Sequence, residues 1–332
     1  MVLFVDKYKP KTLNKFHIHK DISKKLINLG QNKDISNIIF YGLSGSGKTT
    51  LVNAFIKHYF NKEIISKKYS FQIEKKNIEY RRSNYHYEII VKKKNYVLYH
   101  NIEILVKHII KNLNKRKQQI IFIKNFGELT QEKQNIFKTI FEKTSKYCKF
   151  ILTTSSIGKI EKAIRSRLLQ IRVPQPTYDE LTTFVKKICK KESLQFKKTY
   201  LKKIFKVSER NIYKCLLVLQ LSYTEDGFVE YKDRINIEIK KVCKLVKSKR
   251  ENKFLKIRDQ LLFLIKLNVS ISNIITETIK YFSKIEDEKK IEIIHLAAET
   301  DHRISLGHKY LYHLEYFFFN LIKILSSTTL KK

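Results

Sequence analysis

Along the first half of the chain, apolar residues gather in short uninterrupted runs separated by stretches of helical spacing. Runs at 37–41, 87–91, 120–123, 150–153 and 169–173 are rich in Ile, Phe, Val and Leu and have the length of buried parallel strands. Between them, apolar positions over 50–56, 102–113 and 131–142 recur at three- and four-residue spacing, as in helices with one packed face. Alternation of this kind predicts a doubly wound α/β domain with a parallel sheet over residues 1–173. The segment 62–84 breaks the rhythm. It is very basic, holds two β-favouring runs (69–73 and 77–80), and reads as a hairpin excursion.

After residue 173 the strand pattern nearly disappears. Pro174 and Pro176 follow the last strand and mark a domain junction. Helical periodicity then covers 181–189, 200–207 and 212–221, a compact group, and 235–267, 271–282 and 291–325, a second block. Turn-forming residues Thr224, Glu225, Asp226 and Gly227 separate the two, giving a small helical domain over 174–232 and an all-α domain over 233–332. No internal repeat is visible.

Charge adds a partner class. The chain carries 68 Lys+Arg against 31 Asp+Glu, a net +37, which suits nucleic acid or an anionic membrane surface. Richness in Lys, Ile and Asn with few Gly and Pro also fits the drift of an AT-rich genome, which accounts for most of the excess. The four cysteines (Cys148, Cys189, Cys215, Cys243) are far apart, so neither a metal cluster nor a dense disulfide framework is expected. No stretch reaches the ~18 uninterrupted apolar residues of a membrane span. The expectation is a soluble protein of a reducing compartment, without a membrane partner.

Of only 8 glycines, three fall within six residues, in Gly42-Leu43-Ser44-Gly45-Ser46-Gly47-Lys48-Thr49. This is the G-x-x-x-x-G-K-[ST] phosphate loop, and from this composition a chance match has a probability of about half a percent. A β-favouring run precedes it and a helical stretch beginning at Thr50 follows, so backbone N–H groups and a helix N-terminus would face the phosphates of ATP or ADP. Lys48 would reach the β- and γ-phosphates, and the Thr49 hydroxyl would ligate Mg²⁺.

Further stretches resemble one family, the replication factor C small subunits, sliding-clamp loaders within the AAA+ ATPases. Phe4-Val5-Asp6-Lys7-Tyr8-Lys9-Pro10 is similar to that family's opening motif, with Lys9 where Arg is usual. Ile164-Arg165-Ser166-Arg167 resembles the box that supplies a trans-acting arginine, with Leu168 in place of the usual Cys. Ser83-Asn84-Tyr85-His86-Tyr87-Glu88 resembles subunit 3 in particular. So does His302-Arg303-Ile304 together with Gly307, Lys309 and Tyr312-His313-Leu314-Glu315.

The resemblance extends over residues 2–325. It implies an AAA+ domain (1–173), a small helical lid (174–232) and a helical collar (233–332). Five such chains would form a heteropentamer that uses ATP to load the sliding clamp onto primer–template DNA. That work belongs in the nucleus, or in a cytoplasmic viral factory if the genome is viral. Tyr8 and Pro10 would border the nucleotide base or simply anchor the N-terminus, and Gly42–Thr50 would hold the phosphates.

Departures from the family pattern limit the chemistry. AAA+ enzymes end the relevant strand in Asp-Glu, one carboxylate on Mg²⁺ and one on the attacking water. Here the strand runs into Lys124 and Asn125. A sensor Asn aligns with Ser155 and a sensor Arg with Tyr213. Four such losses imply a subunit that hydrolyses ATP very poorly, if at all, while Arg167 acts as a finger for its neighbour or, more plainly, as a surface or capping arginine. An architectural subunit with a vestigial pocket is the alternative; a helicase-type motor is disfavoured by the missing carboxylates. Lys111, Lys115, Arg116 and Lys117 are a candidate DNA-phosphate cluster or a solvated face. Tyr316–Phe319 would be helix core or collar interface.

Overall fold

The structure, a computed structural model, describes residues 2–31, 35–73, 76–92, 96–113, 118–194, 198–224, 227–228, 233–248, 252–283, 287–306 and 309–326. The chain divides into two compact units, Met1–Tyr231 and Lys232–Lys332. The elements of the first are α1 (Phe4–Lys7), α2 (Lys20–Gln31), β1 (Ile38–Tyr41), α3 (Lys48–Phe60), β2 (Lys67–Ile73), β3 (Lys76–Arg82) and β4 (His86–Ile90). There follow α4 (Tyr96–Lys111), β5 (Gln119–Lys124), α5 (Gln131–Thr144), β6 (Cys148–Thr154), α6 (Lys162–Arg165) and β7 (Leu169–Arg172). The unit closes with α7 (Tyr178–Lys191), α8 (Lys198–Ser208), α9 (Ile212–Ser222), β8 (Tyr223–Thr224) and β9 (Gly227–Phe228).

Strands β2 to β7 and β1 form one sheet in the order β2-β3-β4-β5-β6-β1-β7. From β4 to β7 every neighbouring pair is parallel. Period-two alternation sorts the side chains of β5 onto opposite faces. Ile121 and Ile123 join a core with residues of α4 and α5, while Ile120 and Phe122 join one with α3, including Leu51 and Phe55. The sheet is therefore covered by helices on both sides, as a parallel sheet must be.

Two expectations need correction. The 62–84 segment is the expected hairpin, β2 and β3 pairing antiparallel, but it is not an excursion from the sheet: β3 continues onto β4 through Arg81↔Glu88 and Arg82↔Tyr87, extending the main sheet. Strand β7 is parallel as expected but not buried. It is an edge strand, pairs among the described residues with β1 alone, and leaves Leu169 41% exposed.

Helices α7, α8 and α9 share a core of Leu181, Val185, Ile188, Leu201 and Leu219, to which the N-terminal Phe4 and Ile18 contribute. Helix α7 opens with a capping box, Thr177 and Glu180 satisfying each other's backbone N–H groups. Residues 225–226 of the expected turn lie outside the described residues, between the short paired strands β8 and β9.

The second unit holds α10 (Arg234–Lys247), α11 (Lys253–Lys266), α12 (Ile271–Phe282), α13 (Asp287–Leu306) and α14 (Tyr310–Ser326). The apolar stretches 235–267 and 291–325 thus each become two helices. On α14 the aromatic run splits by face: Phe317 and Phe318 are buried beside Leu261 and Phe282, and Tyr316 and Phe319 are exposed. Among the described residues no helix is long and apolar enough to cross a membrane. All four cysteines are free and buried.

Candidate nucleotide-binding site

β1 delivers the phosphate loop at the C-terminal edge of the sheet, between β6 and β7. Gly47, at φ 96°, stands just before α3, whose first residues are Lys48, Thr49 and Thr50. Gly42 is required for a different reason. A Cβ there would lie 2.1 Å from the Val173 carbonyl oxygen, so the loop can pass under the end of β7 only without a side chain. The Gly42 N–H is fixed to the Thr154 carbonyl at 3.3 Å.

Leu43 and Ser44 are exposed, Gly45, Thr49 and Thr50 half-buried, and Ser46 fully buried. Among the described residues the Ser46 hydroxyl has no hydrogen-bond partner. The Lys48 ammonium donates to the carbonyls of Gly42 (2.6 Å) and Leu43 (2.7 Å), and burial lowers its pKa below the ordinary lysine value. Glycine-built cradle, half-buried cation and orphaned hydroxyl together fit a polyphosphate.

The metal side of the site is different. Lys124, the last residue of β5, carries its side chain on the α3 face with Phe122, whose ring centre is 5.3 Å from the ammonium. The ammonium sits 2.6 Å from a Glu88 carboxylate oxygen, with the two side chains only 15% and 5% exposed. Burial lowers the Lys124 pKa, and Glu88 opposes that shift.

Asn125 has a left-handed backbone (φ 57°) and is spent on structure: its N–H donates to Thr153 Oγ1 (3.2 Å) and its amide to the Val91 carbonyl (3.3 Å). Among the described residues no group of three or more His, Cys, Asp or Glu is placed to hold a metal ion. Thr49 is where a Mg²⁺ ligand is expected, yet the carboxylate that would join it is replaced by a cation. The residues fit a nucleotide and do not fit an enzymatic magnesium centre.

The remaining predicted residues scatter. Ser155, just past β6, and Tyr213, on α9, are exposed. The Tyr8 ring packs edge-on against Phe4, and its hydroxyl donates to Glu192, just past α7, which also takes Lys7 at 2.6 Å. Burial, then the Glu192 bond, pushes the Tyr8 pKa up to about 12. Pro10 faces a cavity of about 320 Å³ shared with Lys9, Asn53, Lys57, Arg81 and Glu88, whose lining includes none of residues 42–49. His86 is buried and hydrogen-bonded to Ser83 (2.6 Å). Lys111 ends α4, while Lys115, Arg116 and Lys117 lie outside the described residues.

Arg167 lies between α6 and β7. Its Nε and Nη2 donate to one Glu142 carboxylate oxygen (2.9 and 2.8 Å) and its Nη1 to the Ala163 carbonyl (2.6 Å). Register places it far from its own phosphate loop. Leu169 pairs with Ile38 at the start of β1, whereas the loop leaves the far end, where Tyr41 pairs with Arg172. Three residues of strand separate those ends by about 10 Å.

Sequence reading missed two features. One is Glu88 as the partner of Lys124, 36 residues away. The other is the contact of the α8–α9 turn with the loop, where Ile212 N–H donates to the Gly45 carbonyl (3.2 Å). Neither has a local sequence signal.

A strand, phosphate loop and helix at the edge of a doubly covered parallel sheet, beneath a helical segment, define an AAA+ type nucleotide-binding protein. Residues 38–175 match the family model of ATPases associated with various cellular activities (AAA). Residues 236–329 match the model of the replication factor C subunit 3 C-terminal domain. Replication factor C subunit 3 of Arabidopsis thaliana is 27% identical over 95% of this chain and 95% of its own length. Subunit 5 of Oryza sativa is 28% identical over the same shares. A putative replication factor C small subunit of Acanthamoeba polyphaga mimivirus is 27% identical over 95% of this chain and 89% of its own. Among solved structures, the Thermotoga maritima RuvB Holliday junction branch migration motor aligns at TM-score 0.44 and 15% identity, covering 91% of this chain and 81% of its own. The chain is thus a homologue of the replication factor C small subunits over 95% of its length, with an AAA domain followed by a replication factor C-type C-terminal domain.

Proposed function

We propose that this chain is the subunit 3-like member of a heteropentameric clamp loader, one that holds nucleotide, turns it over very poorly, and lends Arg167 to a neighbouring subunit. The observation that carries this reading is the Lys124–Glu88 pair. A buried ammonium, already neutralised inside the sheet, stands where hydrolysis needs a metal-binding carboxylate, while the phosphate loop beside it is intact. Neither Lys124 nor the structurally committed Asn125 can activate water.

Arg167 supports the trans role by position. It sits at the edge of the sheet away from its own loop, and its exposed ion pair with Glu142 is worth at most ~1 kcal/mol, so release toward a neighbour costs little. A guanidinium delivered to another subunit's transferring phosphate stabilises the charge that develops there.

The reading includes three functional domains, 1–173, 174–232 and 233–332, the last a collar through which the subunits assemble. The partners are the other subunits, the sliding clamp and primer–template DNA held through its phosphates, in the nucleus or in a viral factory. Reconstituting the loader with Arg167→Ala tests the central part: assembly should persist and ATP turnover fall, whereas unchanged turnover refutes the finger.

One observation favours an architectural reading instead. Lys48 is already satisfied by two loop carbonyls, as a vestigial pocket would have it. Equilibrium binding of ADP to the purified chain, with Lys48→Ala as control, separates the two.

A further inference from the structure

Three successive carbonyls of the phosphate loop accept hydrogen bonds from groups outside it. Ser44 O takes Asn211 Nδ2 (3.4 Å), Gly45 O takes the Ile212 N–H (3.2 Å), and Ser46 O takes His19 Nε2 (2.8 Å). The peptide unit is planar, with its C=O and N–H directed oppositely. Fixing these three carbonyls therefore turns the N–H groups of Gly45 and Gly47 to the other side, while the Ser46 N–H between them closes a turn onto the Leu43 carbonyl (3.4 Å). A run of such N–H groups is what forms an anion nest.

The donors come from two elements that the phosphate motif does not include. His19 begins the turn into α2, and burial lowers its pKa, which leaves the neutral ring to donate through Nε2. Asn211 and Ile212 open α9. Their approach is close: a Cβ on Gly45 (φ 75°) would lie 2.0 Å from Asn211 Oδ1, so this glycine makes room for the lid.

The turn that presents Asn211 is itself held under tension. Glu209 and Arg210 both adopt left-handed backbones, φ 49° and 63°, with no glycine to ease them. Arg210 secures the turn by donating to the carbonyls of Pro176 (2.7 Å) and Gln175 (3.3 Å), at the junction that follows β7.

We propose that Asn211, the Ile212 N–H and His19 form an outer brace that orients the phosphate loop, making Asn211 and His19 positioning residues for polyphosphate binding. The helical lid then controls nucleotide residence by setting the direction of the loop's N–H groups, without touching the nucleotide. Coupling is reciprocal: an anion that orders the nest also tightens the lid, and loosening the lid releases the anion. This inference rests on the reading of the loop as a nucleotide site.

Asn211 allows a clean dissection because its two side-chain atoms do different work. Oδ1 caps α9 by accepting from the Lys214 N–H (3.1 Å), and Nδ2 braces Ser44. Asn211→Asp keeps the cap and sets a carboxylate against the Ser44 carbonyl. The experiment is equilibrium binding and dissociation kinetics of a fluorescent ADP with the full chain, alongside its thermal midpoint. Asn211→Asp should weaken ADP about tenfold, through faster dissociation, at an unchanged midpoint. His19→Ala, removing a donor from outside the lid, should produce a loss of the same kind. Wild-type affinity and dissociation in folded Asn211→Asp overturn the brace alone. A wild-type chain that binds no ADP, or binds it equally well after Lys48→Ala, overturns the nucleotide reading and the brace with it.

Discussion

The two ends of the candidate site, separated only by β6, have had opposite fates. At the end of β1 the glycine-built loop is in place, from Gly42 beneath the Val173 carbonyl to Lys48 at the start of α3. At the end of β5 the carboxylates are gone, and the space is filled by an ion pair and by an asparagine that fastens neighbouring strands. Binding draws mainly on backbone geometry and one cation, whereas hydrolysis needs ionised side chains at fixed positions. On the proposed reading, this contrast is what lets a subunit hold nucleotide without turning it over.

The comparison can be broken in four places. The largest effect is expected from Arg167→Ala. In a reconstituted loader it should cut hydrolysis at the neighbouring site by about 10³-fold or more, read as steady-state phosphate release, with ADP affinity of this subunit unchanged. Next comes Lys48→Ala, which should weaken ADP binding to the purified chain by about 100-fold, measured by titration, while turnover of the assembled loader stays close to wild type.

Glu88→Gln probes the other end. It leaves the Lys124 ammonium buried without its counter-charge and should cost about 3 kcal/mol in urea denaturation. Glu88→Leu combined with Lys124→Met should recover most of that loss. The pair would then be a structural filler of a former metal position and not a catalytic device.

The smallest effect is on pH. Burial lowers the pKa of His19 and of His86 below 6.5. Between those lowered values and 6.5 the unfolded chain binds more protons than the folded one, so stability rises with pH there. The thermal midpoint should be steady above about pH 7 and decline as pH falls through 6.5, and His86→Phe should flatten part of that decline.

Much of this was legible in the chain itself, for identifiable reasons. Buried parallel strands advertise themselves as apolar runs, and β1, β4, β5 and β6 were found that way. The phosphate loop is local, so its eight residues carry their own signature. What escaped depends on partners distant in sequence. Strand β7 reads Leu169-Gln170-Ile171-Arg172, an alternation that fits its exposed edge position, yet only the strand order of the sheet reveals that it is an edge. The hairpin β2–β3 looked detached because its junction with the sheet is made by two side-by-side pairs, Arg81↔Glu88 and Arg82↔Tyr87. The chain shows Lys124 as a cation where the family pattern has a metal ligand, but nothing local points to Glu88 as the partner that makes a buried lysine tolerable there. The brace on the loop joins residues 44–46 to residues 19, 211 and 212, and no local pattern announces such a contact.

The most direct test of binding without turnover uses the purified chain and γ-labelled ATP. After mixing at concentrations that saturate the site, the reaction is quenched over minutes to hours and the protein-bound nucleotide is separated. The account predicts that the bound label remains ATP throughout and that Lys48→Ala abolishes its retention. Release of labelled phosphate by the isolated chain at a rate typical of AAA+ enzymes, and lost in Lys48→Ala, would contradict it.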